Sequence, residues 1–168
     1  MSIEQYRELF EYEIDCNAKM LTMLHSVPAD KRTDPLFQRA VKLAAHLAAC
    51  RENWLKWMAR TDDSEAEWFE VNADLNTLQS RYSAFEEKWT QYLAGLNEDG
   101  IHSNFSVTES DGSVYTFPVM LQTMQLALHA PYHRGQIALL VDLLGGETVD
   151  TDYVDWVYKR DPSQFEVG

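Results

Sequence analysis

Three histidines have the residue type and spacing that can hold a metal ion. His129 and His133 are four residues apart, so on a helix their side chains lie on one face with Cβ atoms roughly 5–6 Å apart. Two imidazoles at this spacing can chelate one ion without strain in the backbone. His46, at the flank of a separate apolar stripe, is a candidate third ligand. Three imidazoles would leave a coordination position for water or substrate, as in catalytic sites.

The apolar pattern around His129 and His133 predicts that both side chains point toward the core. Steps of three and four residues connect the pair with Leu126, Ile137, Leu140 and Leu144. Two unpaired imidazoles buried together would be costly, and a shared ion would satisfy both. Spacing alone leaves the alternative open, in which the histidines are ordinary buried polar residues.

The ligand type and the residues near the histidines limit which metals and reactions are compatible with the site. Imidazole ligands favour zinc, nickel, copper or iron over calcium and magnesium. The segment from His129 to His133 lacks the glutamate that follows the first histidine of zinc proteases. Pro131 lies inside this segment and predicts a kink, because proline removes a helical hydrogen bond. Cys50, one turn beyond His46, could be a ligand or a nucleophile, although a packed thiol is the favoured interpretation.

The positions of these residues depend on four predicted amphipathic helices, a pattern typical of an all-α, four-helix bundle. The apolar repeats place the helices at about residues 2–25, 34–60, 73–96 and 118–144. Alternating residues in 101–107 and 113–117, around Asp111-Gly112, predict a short β-hairpin before the last long helix. His102 is expected to face outward from this hairpin, and His25 to end the first helix; neither is assigned to a site. The tail, residues 150–168, is expected to form a short helix.

Composition limits the possible partners and location. A chain of 168 residues fits a single domain over residues 1–168. The net charge of −13 argues against nucleic acid and anionic membrane surfaces as partners. The N-terminus lacks a basic segment followed by an apolar stretch, and no window approaches ~20 continuous apolar residues. We therefore expect a cytoplasmic protein in which Cys16 and Cys50 are reduced.

Three segments resemble a known family. These are the run HAPYHRGQI from His129 to Ile137, the run LAAHLAACRENW that contains His46, and the run LGGETVDTDY that ends at Tyr153. They resemble the DinB/YfiT-like family of metalloenzymes, and the resemblance covers essentially the whole chain. It implies an up-down-down-up four-helix bundle, usually a homodimer. It also implies a divalent metal, zinc or nickel, held by one histidine of the second helix and two of the fourth, which match His46, His129 and His133.

The resemblance also implies a reaction class. Relatives include thiol-dependent S-transferases and isomerases that use low-molecular-weight thiols. We therefore predict a divalent-metal-dependent enzyme, a thiol S-transferase or a related hydrolase or isomerase, acting on such a thiol and an electrophilic small molecule. Asn17, Glu52 and Gln136 are candidates by position to orient the imidazoles, and Gly135 is expected to allow close helix contact beside the site.

Two alternatives remain open at this point. One is a dimeric helical bundle that binds a metal or a small molecule without catalysis. The other is a dimeric structural domain whose histidines are packed and metal-free.

Overall fold

The computed structural model describes residues 2–61 and 66–165. Its α-helices are α1 (Ile3–Ser26), α2 (Pro35–Met58), α3 (Leu75–Gly95), the four-residue α4 (Glu98–Ile101), α5 (Val119–Leu143) and α6 (Tyr153–Arg160). Short 3-10 helices lie at Ala29–Lys31 and Pro162–Gln164, and strands β1 (Asn104–Thr108) and β2 (Val114–Pro118) form a hairpin. The all-α prediction is confirmed, as is the hairpin before the last long helix.

Side-chain caps set where the helices begin. Ser2 and Gln5 form a reciprocal capping box at the start of α1. Asp34 accepts a hydrogen bond from the N–H of Leu36 and precedes a proline at the first position of α2. At the start of α3, the side chain of Asp74 accepts a hydrogen bond from the N–H of Asn76. At the other end of α5, Gly145 takes a left-handed φ of 77°, which ends the helix.

Hydrogen bonds between helices give their directions. The hydroxyl of Tyr6 donates to the carbonyl of Met120, and about three to four turns further along the same two helices Arg134 donates to Asn17. Both residues of the second pair lie later in the chain than those of the first pair, so α1 and α5 run in the same direction.

Helix α3 runs antiparallel to α1 and parallel to α2. Between α1 and α3, Arg7 contacts Leu93 and Asn17 contacts Glu86, so the residue numbers run in opposite order. Between α2 and α3, Ala44 contacts Tyr82 and Arg51 contacts Trp89, so the residue numbers run in the same order. Helices α3 and α5 each pack against both α1 and α2, which places α1 and α2 at diagonal corners. The four long helices therefore form the predicted up-down-down-up bundle.

The hairpin packs on the bundle through aromatic side chains. Strands β1 and β2 are antiparallel, with Phe105 opposite Phe117. Both rings contact Trp54 of α2, at centroid distances of 6.0 and 5.4 Å. A lone hairpin is marginally stable, so this contact is what holds it in place.

The predicted start of the hairpin is wrong. Ile101 lies in α4 rather than in a strand, and β1 begins at Asn104. The side chain of Asn97 accepts a hydrogen bond from the N–H of Gly100 and so caps a helical turn. Ile101 is fully buried by that turn, and the exposed His102 follows α4 instead of pointing outward from the hairpin.

A buried ion pair joins the diagonal helices α1 and α2. The Nε of Arg51 donates to Oε1 of Glu13 at 2.7 Å, and its Nη2 pairs with Oε2 of the same carboxylate. Both side chains are buried, and the rings of Phe10 and Trp89 flank the guanidinium at 5.5 and 5.2 Å. A pair removed from water in this way is tolerated because both charges are hydrogen-bonded to each other.

The outer surface of α5 is apolar. Five large side chains on this helix are 60–66% exposed: Leu121, Leu128, Tyr132, Leu139 and Leu143. Their spacings of seven and four residues place them along one face. We call these five residues the α5 face. Within residues 2–61 and 66–165, no helix combines the length and apolar character needed to cross a bilayer.

Candidate metal centre

The three predicted histidines lie together between α2 and α5. The Nε2 atoms of His129 and His133 are 3.0 Å apart. The ring of His46 lies 5.3 Å from that of His129 and 5.1 Å from that of His133, measured between centroids. One ring nitrogen from each histidine lies within 4.8 Å of the others, so the group could hold a metal ion. His46 is buried, whereas the other two side chains are partly exposed.

Two of the imidazoles are oriented by oxygen acceptors behind them. Nδ1 of His46 lies 2.8 Å from the carbonyl oxygen of Trp68, and Nδ1 of His133 lies 2.9 Å from Oε1 of Gln136. An oxygen of either kind accepts, so each Nδ1 carries the hydrogen. Each Nε2 is left with a lone pair, the tautomer that binds a metal.

The separation of His129 and His133 fits a small divalent ion. Zinc–imidazole bonds of about 2.0–2.1 Å place two ligand nitrogens roughly 3.0–3.4 Å apart. The separation of 3.0 Å between the Nε2 atoms of His129 and His133 lies in that range. Without an ion, two such nitrogens gain at most one hydrogen bond between them. The residues present therefore fit a bound metal.

The surroundings keep His46 and His129 neutral. Burial lowers the pKa of His129 to about 4, with further lowering by the neighbouring His133, His46 and Arg51. Burial also lowers the pKa of His46. Metal ligation requires the neutral imidazole, so both side chains are in the ligand form at neutral pH.

A loop between α2 and α3 covers one side of His46. The ring of Phe69 stacks on the imidazole with centroids 4.1 Å apart and planes 3° from parallel. The neighbouring Trp68 packs against Trp54 and Trp57 at 5.8 and 5.7 Å, which fixes the loop. Sequence reasoning missed Trp68 and Phe69, because loop residues have no periodicity that indicates what they contact.

The three candidates for orienting the imidazoles lie in different places. Gln136 contacts His133, as described above. Glu52 instead pairs with Arg81, at 2.6 Å. Asn17 donates to Glu86 at 3.0 Å and accepts from Arg134. In the described part of the chain, neither Glu52 nor Asn17 has a hydrogen bond to one of the three histidines.

Cys50 lies beside the site as a packed thiol. Its Sγ is 3.6 Å from Nε2 of His46, and burial raises the thiol pKa to about 11. A thiol with that pKa is protonated at neutral pH and is a poor nucleophile. Both Cys16 and Cys50 are free and buried.

Two expectations about α5 have different outcomes. The helix continues through Pro131 from Val119 to Leu143, and a kink at this residue stays a prediction. The expected close helix contact at Gly135 is wrong within this chain, since a Cβ built there would meet no atom within 4 Å. Gly135 is exposed, on the outer side of α5.

The fold and the site together define a class: an up-down-down-up helical bundle with a candidate three-histidine metal centre between two of its helices. The chain belongs to the DinB family, whose sequence model matches residues 1–162. No curated protein matches the chain, and no solved structure does. Family membership and the histidine cluster are both compatible with a metal-binding protein.

Proposed function

We propose that this protein is a divalent-metal-dependent enzyme that transfers a low-molecular-weight thiol to an electrophilic small molecule. The observation that carries the proposal is the convergence of His46, His129 and His133 within 4.8 Å. Zinc or nickel is the proposed metal, because both accept imidazole ligands and bind them tightly among divalent ions.

Access from solvent supports a catalytic role over a closed structural one. His129 and His133 are partly exposed, and three protein ligands leave at least one coordination position free. The exposed ring of Phe69 stacks on His46 and so lies beside the site. When bound, the ion supplies Lewis acidity, which lowers the pKa of a thiol or water at the free position.

In the proposed reaction with an epoxide, the thiol sulfur forms a bond to a ring carbon as the carbon–oxygen bond breaks. The thiol proton ends on the ring oxygen, so the products are a thioether and an alcohol. The role of the chain is to hold and orient the reactants beside Phe69. Because the Cys50 thiol is protonated and buried, it does not compete for the electrophile. A related hydrolase or isomerase would use the same open position.

We further propose that the protein is a cytoplasmic homodimer that associates through the α5 face. Only Arg134, which is buried, and Asp142 are charged in α5, although the chain has 41 charged residues among 168, from 14 basic and 27 acidic side chains. A second copy of the same apolar face is its natural complement. The net charge of −13 on each copy opposes contact through other surfaces.

The test is turnover by the metal-loaded protein. Protein reconstituted with zinc or nickel is incubated with a panel of low-molecular-weight thiols and an epoxide or halogenated electrophile, and the thioether is measured by mass spectrometry. The matched control is the His129→Ala/His133→Ala variant. We expect thioether formation above the uncatalysed rate with the loaded protein alone. Metal uptake without turnover for any thiol would overturn the transferase proposal and favour a non-catalytic metal-binding bundle.

A further inference from the structure

A groove of about 560 Å³ lies along the N-terminal half of α2. Arg39, Lys42 and Leu43 of this helix line one side, and Phe69 of the loop lines the other. Thr33, Pro35 and Gln38 complete the lining, so the groove combines two cationic side chains with apolar and uncharged polar ones. We call it the α2 groove.

The two cations have no carboxylate partner among the described residues. Arg39 and Lys42 are both exposed, and the side chain of neither has an ion pair or a hydrogen bond to another of residues 2–61 and 66–165. The protein has nearly twice as many acidic as basic residues. Two cations one turn apart, without an acidic partner in the part of the chain that the structure describes, are a local reversal of the overall charge, which favours an anionic ligand.

The α2 groove borders the three-histidine site through Phe69. Phe69 lines the groove and also stacks on His46. Arg39, Leu43 and His46 are separated by four and three residues, so they share one face of α2. At 1.5 Å per residue, Lys42 lies about 6 Å and Arg39 about 10 Å from His46 along the helix axis. A ligand of about that length would span the distance along α2 from the two cations to His46.

We propose that the α2 groove binds a carboxylate of the substrate whose reacting group lies at the three histidines. This inference rests on the proposed function, because it states which chemical group the same substrate carries at the end away from its reacting group. Arg39 and Lys42 contact the carboxylate. Leu43 and Phe69 contact the apolar segment that joins the carboxylate to the reacting group. The substrate class is thereby a thiol that carries an acid group about 6–10 Å from its sulfur.

The experiment compares 6-mercaptohexanoate with its neutral amide, 6-mercaptohexanamide, by calorimetric titration of the zinc-loaded protein. The two probes differ only in the charge of the far end. We expect the carboxylate to bind about fivefold more tightly, as two solvent-exposed ion pairs would provide. This preference should shrink in 0.5 M salt, which screens exposed charges.

Two matched variants test whether Arg39 and Lys42 cause the preference for the carboxylate probe. In the Arg39→Gln/Lys42→Gln variant we expect the two probes to bind within twofold of each other. The Lys88→Gln/Lys159→Gln variant makes the same change in net charge at exposed positions outside the groove, and it should retain the wild-type preference. Equal binding of the two probes to wild-type protein, or a preference that survives in the Arg39→Gln/Lys42→Gln variant, would overturn the inference.

Failure of the inference and failure of the proposed function are distinguishable. Zinc content is measured first, and protein without bound zinc contradicts the proposed metal centre alone. The groove is then tested in metal-free protein by NMR titration with hexanoate and hexanamide, which have no thiol. Chemical-shift changes with hexanoate that are lost in Arg39→Gln/Lys42→Gln support the groove on its own, and their absence in wild-type protein counts against it.

Discussion

Nδ1 of His46 lies 2.8 Å from the carbonyl oxygen of Trp68, a residue 22 positions later in the chain. This contact sets the tautomer of the imidazole and connects the loop between α2 and α3 to the candidate metal centre. Phe69, next to Trp68, then stacks on the same ring. The loop therefore orients the imidazole of His46 and forms one side of the access path to this imidazole.

Removing two of the histidines should abolish metal binding. The His129→Ala/His133→Ala variant leaves His46 as a single imidazole, which cannot chelate. We expect about one zinc or nickel per chain in wild-type protein after reconstitution and dialysis, and less than about a tenth of that in the variant. Elemental analysis gives the content. His25→Ala, a change at an exposed residue outside the site, is the control, and equal metal in all three proteins would refute the site.

Gln136 should tune metal affinity although it is not a ligand. Gln136→Leu removes the acceptor of the Nδ1–H of His133, and loss of such a partner lowers metal affinity about 10–100-fold. Competition with a chromogenic chelator measures the affinity. Glu52→Gln is the matched control, since Glu52 pairs with Arg81 and not with a histidine. A variant at Gln136 with wild-type affinity would show that the hydrogen bond does not orient the ligand.

The metal-free protein should lose stability in mild acid. Burial lowers the pKa of His129 from the ordinary 6.5 to about 4 in the folded chain. Between these values the unfolded state binds a proton that the folded state does not, so the free energy of unfolding falls as the pH drops from 6.5 to 4. The lowered pKa of His46 acts in the same direction. Urea denaturation in the presence of a chelator, at pH 7.0 and 5.0, measures the change.

The control for this pH dependence is His129→Gln, whose side chain does not titrate. The stability difference between pH 7.0 and 5.0 should be smaller in this variant than in wild-type protein. An identical difference in both proteins would mean that His129 does not contribute.

A charge on the α5 face should dissociate the proposed dimer. Leu128 is 66% exposed, so Leu128→Glu costs little in an isolated chain but places a carboxylate in an apolar interface. We expect wild-type protein to sediment as a dimer in analytical ultracentrifugation and the variant to sediment as a monomer. Val114→Glu, at an equally exposed position on the hairpin, should remain dimeric. Monomeric wild-type protein at all concentrations would contradict the proposal.

Breaking the ion pair between Glu13 and Arg51 should destabilise the fold. Arg51→Met leaves a buried carboxylate without its partner, a change that costs about 3 kcal/mol or more of unfolding free energy. The double variant Glu13→Leu/Arg51→Met removes both charges and should be more stable than Arg51→Met alone. Guanidinium denaturation of the wild type, both single variants and the double variant measures the coupling. Additive effects of the two substitutions would mean that the pair is not coupled.

Local sequence patterns were sufficient to predict much of the secondary structure and part of the candidate site. Apolar repeats predicted the four long helices within about two residues at most ends, because an amphipathic helix is defined by the order of its own side chains. The spacing of His129 and His133 likewise placed two imidazoles on one face of one helix. Misassigned positions occurred where a short element had no periodicity, as at Ile101, which a capped helical turn buries.

Contacts between distant segments were decided by the tertiary structure. Glu52 and Gln136 were equal candidates by position, yet only Gln136 contacts a histidine, since the packing of α3 against α2 brings Arg81 to Glu52. Trp68 and Phe69 reach His46 because a cluster of tryptophans anchors their loop. The sequence alone therefore determined which side chains can act as ligands. The packing of the helices determined which groups orient those ligands and which face of α2 leads to them, because these depend on contacts between residues far apart in the chain.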